Sequence, residues 1–222
     1  MAGGPPEIEV RVPRVFCGPG GSHGNPLGVV LDGPSVPADD RQALARHLAY
    51  SETVFVDDAA RGRIAIYTPE VELPFAGHPS VGTAWMLHRE GHEIDVLRPP
   101  AGEVPVRRDG ETTWVAAKPE WCPDWEFRQF GSPAEVDELP IAADGFRYCW
   151  AWIDENAGLV RARSFVAEVG VGEDEATGSA ALPLAARLGR AIEVRQGRGS
   201  VIHARPVADG FVEIGGLVVE DR

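Results

Sequence analysis

Two acidic loops in this 222-residue chain each run into a helix through a glycine and a polar residue. In the first, Glu72-Leu73-Pro74-Phe75-Ala76-Gly77-His78-Pro79-Ser80 leads into the apolar run Val81 to Leu87. In the second, Glu173-Asp174-Glu175-Ala176-Thr177-Gly178-Ser179-Ala180 leads into Ala181 to Leu188. A helix start carries unpaired N–H groups and a partial positive charge, so two such starts facing each other would cradle an anion. Gly77 and Gly178, lacking a Cβ, would let that anion approach the backbone closely. His78 and Ser179 stand in matching places. At the first turn of an enclosed helix His78 can bond a substrate oxygen or relay a proton, with its pKa lowered by the helix end. Asp174 is a helix cap or a substrate contact, and Ser179 an ordinary first-turn residue or a second contact. The chemistry implied is capture of a small anion between two halves of an internally duplicated chain.

The elements that must position these groups are legible from pattern. Residues 8 to 16 alternate Ile8, Val10 and Val12 with charged neighbours and read as a strand, followed by a Gly-rich surface loop, Gly18 to Gly24, and a returning strand, Asn25 to Leu31. Asp39 or Asp40 can cap a helix with Leu44 and Leu48 on one face, ending near Tyr50. Thr53 to Val56 and Arg63 to Tyr67 form a hairpin before the first buried helix. The second half repeats the order: Tyr148 to Ile153, a turn, Leu159 to Phe165, an acidic loop and a helix. Pro79 to about Glu90 is apolar nearly all round and must be enclosed. In the helix after Ser179, Pro183 is expected within about the first turn. Ile192 to Val194, Val201 to Ala204 and Val212 to Ile214 supply further strands. The turn Arg107-Arg108-Asp109-Gly110 suggests a division into 1–108 and 109–222. The expected fold is α+β, two pseudo-symmetric halves, each a curled, mostly antiparallel sheet wrapped around one buried helix.

Composition excludes several classes. A net charge of −13 without a basic block disfavours nucleic acid and anionic membranes as partners. No apolar run approaches bilayer length and Met1 to Glu7 lacks a signal-peptide pattern, so a cytoplasmic location is expected. Cys17, Cys122 and Cys149 are too few and scattered for a disulfide framework. His23, His47, His88, His92 and His203 show no metal-ligand spacing, and there is neither a dinucleotide fingerprint nor a phosphate loop, so no metal or cofactor is expected. A serine hydrolase built on Ser179 lacks the Gly-x-Ser-x-Gly elbow.

Gly24-Asn25-Pro26 with Gly28-Val29-Val30-Leu31, Ser51-Glu52-Thr53 with Phe55-Val56, Pro74 to Pro79, Glu173-Asp174 with Thr177-Gly178-Ser179-Ala180, and Gln196-Gly197-Arg198-Gly199 occur in the order found in one family. By these motifs the chain resembles the phenazine-biosynthesis PhzF-like family, which has the diaminopimelate epimerase fold. The resemblance implies cofactor-independent isomerisation in a cleft between the halves, usually in a homodimer. It places the acid/base glutamate at Glu52 and matches the family's histidine, aspartate and serine to His78, Asp174 and Ser179. A carboxylate enclosed between domains has its pKa raised by desolvation, which would fit Glu52 as a proton shuttle on a small carboxylate-bearing substrate. Asn25 would stabilise its turn or touch ligand. Gln196 and Arg198 would brace the second loop, Arg198 as partner to Glu173 or Asp174. Ala76 and Thr177 stand where racemising relatives carry two cysteines, which excludes a two-thiol mechanism. Glu175 replaces a usual proline, which adds charge near the site and puts the rigidity of the loop in question, and the region Trp121 to Asp144 is short, where substrate-shaping segments could be missing. A non-catalytic small-molecule binding protein on the same scaffold is the alternative.

Overall fold

The computed structural model describes residues 8–169 and 171–220; the N-terminal segment Met1 to Glu7 read above lies outside them. In chain order the strands are β1 (Pro13–Cys17), β2 (Asn25–Pro26), β3 (Gly28–Val30), β4 (Thr53–Asp58), β5 (Arg63–Tyr67), β6 (Glu72–Leu73), β7 (Val96–Leu97), β8 (Val104–Asp109), β9 (Thr112–Ala117), β10 (Glu126–Gln129), β11 (Phe146–Asp154), β12 (Leu159–Val166), β13 (Val171–Asp174), β14 (Ile192–Gln196), β15 (Ser200–Pro206) and β16 (Val212–Glu220). The helices are α1 (Ala38–Leu48), α2 (Gly77–Arg89), α3 (Pro133–Asp137) and α4 (Gly178–Leu188).

One sheet runs β10-β11-β12-β14-β15-β16-β9-β8-β7, with β1 joined to β16 and β13 to β12; a smaller sheet runs β3-β4-β5-β6. Most pairings are antiparallel; β3 with β4, β10 with β11 and β12 with β14 are parallel. The α+β architecture of curled sheets around buried helices is the one the sequence implies. Helix α2 packs against β1, β4, β9 and β16, and α4 against β15 and β16. That enclosure explains why α2 buries all of Gly77 to Ala84 as well as Met86 and Leu87. Strand β16 is the shared wall: Val212 to Leu217 pair with β9, Val212 to Gly215 with β15 and Leu217 to Glu220 with β1. The division at 108/109 falls within the β8–β9 hairpin, where Arg108 opposes Thr113 and Asp109 opposes Thr112.

Several local readings change. Pro37, not Asp39 or Asp40, occupies the N-cap of α1, with both aspartates in the first turn and Ala49 ending the helix at φ 56°. A proline already sets the backbone for helix entry, leaving the acidic groups to complement the dipole. The α1 face packs on Phe55, Ala65 and Tyr67 outside the small sheet. Arg107 and Arg108 are strand residues rather than turn, because only Gly110, at φ 59°, takes the left-handed conformation there. Pro183 lies inside α4 beyond its first turn. The missing N–H removes one helical bond there.

The two helix starts meet backbone to backbone. A Cβ added at Gly77 would lie 3.1 Å from the Gly178 carbonyl carbon and 2.3 Å from Ile214 Cδ1; one added at Gly178 would lie 3.2 Å from the His78 nitrogen. These glycines are required by packing, whatever else they contact. Beneath them Phe16 sits in a β-bulge with φ 62°, the extra residue between Val15 and Cys17, and its ring reaches Gly178. Replacing Gly77 by Ala should therefore destabilise the protein by about 1–3 kcal/mol. In an Ile214→Val background, without the Cδ1 methyl, the same change should cost less in urea unfolding; a strictly additive cycle would place the clash elsewhere.

Candidate active site

Glu52 is set by its neighbours in both directions. Its carbonyl accepts from the Gly28 N–H at 3.2 Å, and Thr53 begins β4 beside β3. Gly28 is needed for that approach, since a Cβ there would lie 3.0 Å from the Tyr50 ring. The Glu52 side chain, 16% exposed, meets His78 Nδ1 at 2.9 Å, and His78 is 3% exposed. The other ring nitrogen, Nε2, donates to the Asn25 carbonyl at 3.1 Å. A carbonyl only accepts, so Nε2 carries a proton and the second imidazole proton lies on the Glu52 side. Both nitrogens are engaged, and His78 reaches the cleft through Glu52 rather than directly.

Asp174, at the end of β13, closes the site opposite Glu52. Its Oδ1 accepts from Asn25 Nδ2 at 2.7 Å and its Oδ2 from Thr177 Oγ1 at 2.6 Å. Gln196 Nε2 donates to the Asp174 carbonyl and to Thr177 Oγ1, each at 2.9 Å, and Gln196 Oε1 accepts from Tyr148 OH at 3.0 Å. Glu52, Asp174 and Ser179 line one cleft together with Ser51, Thr68, Ala76 and Thr177. Its apolar wall is Leu73, Phe75, Pro123, Trp125, Phe146 and Val166, and the cavity measures about 60 Å³. The N-cap positions of α2 and α4, Ala76 and Thr177, bond no first-turn N–H through their side chains. Gly77, Gly178 and His78 lie behind the lining.

The electrostatics differ from the expectation. Burial pushes Glu52 upward, but the hydrogen bond and charge of His78 outweigh it and hold the carboxyl below its usual range. Burial pulls His78 down, yet the hydrogen bond and charge of Glu52, the charge of Asp174 and the Asn25 carbonyl leave it raised. The expected lowering of His78 by the helix end and raising of Glu52 by desolvation are both overturned by their mutual contact. The raised carboxyl is Asp174, pushed to about 6 by burial and the charge of Glu52 against the opposing His78, Thr177 and Asn25. Among the described residues no three His, Cys, Asp or Glu side chains converge as a metal site.

The loop contacts also need correction. Glu173 pairs with Arg163 through two bonds of 2.7 and 2.6 Å. Arg198 turns to Glu175 at 3.5 Å, and Glu175 accepts from the Arg198 N–H and Ser200 Oγ, each at 3.0 Å. Glu175 therefore fastens the loop rather than loosening it. Gln196 braces the loop as its motif suggests. The aromatic wall and the Thr177 and Tyr148 hydroxyls were not singled out by the sequence; clustered Trp121 and Trp125 were the available signal. Replacing Glu52 by Gln should let burial dominate, dropping the His78 titration midpoint below 6.5, the ordinary histidine value. Imidazole 15N shifts would read it, and an unchanged midpoint would contradict the pairing.

The profile of phenazine biosynthesis-like proteins, PhzC-PhzF, matches residues 19–137. Trans-2,3-dihydro-3-hydroxyanthranilate isomerase from Pseudomonas aeruginosa is 32% identical, over 84% of this chain and 86% of that enzyme. The fold matches a PhzC/PhzF protein from Clostridium difficile, with TM-score 0.76, 19% identity and coverage of 97% of this chain and 98% of the other. It also matches a hydroxyproline epimerase from Agrobacterium vitis, with TM-score 0.58, 11% identity and coverage of 96% and 90%. A match over more than half the chain and a relative similar along most of its length show that this protein belongs to the PhzC-PhzF family and is an isomerase.

Proposed function

We propose that this isomerase works without a cofactor, moving a proton between carbons of a small carboxylate-bearing substrate bound between the halves 1–108 and 109–222. The observation that carries the reading is the Glu52–His78 contact, buried and opening onto the cleft through the glutamate. Glu52, held ionised, takes the proton from one carbon; the electron pair spreads into the substrate's unsaturated or carboxylate-conjugated system; and Glu52 returns the proton to another carbon. Composition is unchanged, so no redox partner is consumed. His78 stays cationic through the cycle and stabilises the negative charge that develops when Glu52 becomes neutral. Asp174 orients and polarises the substrate opposite Glu52, with Asn25 holding Asp174 in place.

Ser179, in the first turn of α4 and in the cleft lining, holds the substrate carboxylate, in keeping with the positive end of that helix, while Gly77 and Gly178, behind the lining, let the two helix starts approach rather than contacting it. The apolar wall of Phe75, Trp125 and Phe146 suits a flat ring and excludes water, which strengthens each of these interactions. Trans-2,3-dihydro-3-hydroxyanthranilate, the substrate named for the Pseudomonas relative, is therefore the first compound to test. The homodimer implied by the motifs and the cytoplasmic setting expected from the sequence belong to the same proposal.

In deuterated water the wild type should incorporate solvent deuterium during turnover of that compound or of another cyclic carboxylate, and Glu52→Gln should lose about 10²–10⁴-fold of that exchange. Undiminished exchange in the variant would remove Glu52 as the base. The pH profile has two limbs of known sign. Activity should rise from acid through a midpoint near 6 as Asp174 ionises, and fall above the ordinary histidine range as His78, raised by Glu52, loses its proton. In kcat/KM measurements His78→Gln should abolish the alkaline limb; its persistence would assign that limb to another group.

A further inference from the structure

The bonds behind Asp174 form a chain with one direction. Tyr148 and Gln196 are fully buried and Thr177 is 5% exposed, so solvent does not compete for their polar atoms. The orientation of the Gln196 amide is fixed by its partners. The Asp174 carbonyl can only accept, so the Gln196 nitrogen faces it, and the same nitrogen supplies a proton to Thr177 Oγ1. Gln196 Oε1 is then an acceptor, and the Tyr148 hydroxyl must donate to it. The Thr177 hydroxyl, already receiving from Gln196, has its own proton free for Asp174 Oδ2. Along the path from Tyr148 through Gln196 and Thr177 each donor points toward the Asp174 carboxylate, the second Gln196 bond going to the Asp174 carbonyl, and bonds in such a series polarise one another. Four elements meet here: β11 brings Tyr148, the end of β14 brings Gln196, the start of α4 brings Thr177 and the end of β13 brings Asp174.

We infer that Tyr148, Gln196 and Thr177 are positioning residues, a relay of donors that keeps the Asp174 carboxylate ionised and turned toward the cleft. The inference rests on the reading that Asp174 acts on the substrate. The charged and titratable groups around Asp174 are accounted for. Glu52 opposes its ionisation and His78 favours it, while Tyr148 is held neutral by burial and by the charge of Asp174 itself. Asn25 supplies the remaining donor, and the neighbouring Glu173 is neutralised by Arg163. Against burial and Glu52, the relay is what the protein adds on the second half's side to keep the anion.

The test needs no substrate. The side-chain carboxyl carbon of Asp174, assigned by its loss in Asp174→Asn, can be titrated by 13C NMR in the intact protein. Thr177→Val removes a bond to the charged form, so the midpoint should rise by about one pH unit. Thr177→Ser should restore the wild-type midpoint, and Tyr148→Phe, acting two bonds away, should give a smaller rise. A folded Thr177→Val protein, judged by a wild-type-like amide spectrum, that titrates as wild type would overturn the relay. If Thr177→Val does not fold, an unshifted Tyr148→Phe overturns it. The acid limb of kcat/KM should move upward with the NMR midpoint, which a merely structural role would not produce. An NMR shift in a protein that exchanges no substrate deuterium would count against the isomerase chemistry at Asp174 and leave the hydrogen-bond relay standing.

Discussion

The approach of two helix amino ends at Gly77 and Gly178 governs the rest of the site. Their backbones lie close together over Ile214, and a methyl group at either position would press on the Ile214 Cδ1 atom, at 2.3 Å from Gly77 and 2.9 Å from Gly178. Bringing the positive ends of two helices together is electrostatically unfavourable on its own account. The arrangement is offset by negative charge at the same place, Glu52 just before β4 and Asp174 at the end of β13. The packing also fixes what lies beneath. Ile214, from β16, and Phe16, re-aimed by its bulge, fill the space under the two starts. Site geometry and core packing are thus a single constraint, and neither helix can shift without disturbing Ile214.

With Glu52 and Asp174 ionised and His78 protonated, two carboxylates share one imidazolium in a buried volume, leaving a net negative charge. The cost falls unequally. Glu52 has the direct contact and is held low, whereas Asp174 has neutral donors and is pushed to about 6. Separation of two carboxyl groups by environment is how one site comes to hold two distinct acid/base groups. A buried ion pair is weak evidence for stability, because desolvation consumes most of what attraction returns. Its presence at a cleft with an apolar wall is in keeping with the proposed chemistry.

What the sequence made legible follows from range. Helix α2 stood out because a run with few polar interruptions has to be enclosed, and the hairpin of β4 and β5 because strand patterning is local. The duplicated loop motif located both helix starts. Partnerships across space were less visible. Glu173 finds Arg163 because β13 pairs with β12, placing Arg163 two residues from the register partner Phe165; the motif spacing suggested Arg198 instead. The protonation balance was inverted for the same reason. Burial of Glu52 can be guessed from enclosure, but whether a cation touches it depends on a contact between residues of different elements. Of the wall residues, Trp125 comes from the short stretch Trp121 to Asp144 and Phe146 from the start of β11 just beyond it, so the brevity of that stretch did not point to the aromatic wall.

Glu175 shows how a departure from a family pattern can be absorbed. Its carboxylate points away from the cleft and binds Ser200 Oγ and the Arg198 N–H; Ser200 Oγ in turn accepts from the Gly24 N–H at 3.2 Å. Gly197, at φ 57°, makes room, since a Cβ there would lie 2.4 Å from the Glu175 carboxyl carbon. The loop before α4 is therefore held from outside by Glu175 and from inside by Gln196 and Thr177. A proline would stiffen that loop by limiting φ; here stiffness comes from hydrogen bonds to two neighbouring loops. The outer clasp reaches further than a proline could. By ending at Gly24 it fixes the residue beside Asn25, whose carbonyl holds His78 and whose amide holds Asp174. The loop before α4 thus steadies the Gly24–Asn25 turn at the point where His78 and Asp174 share a single asparagine.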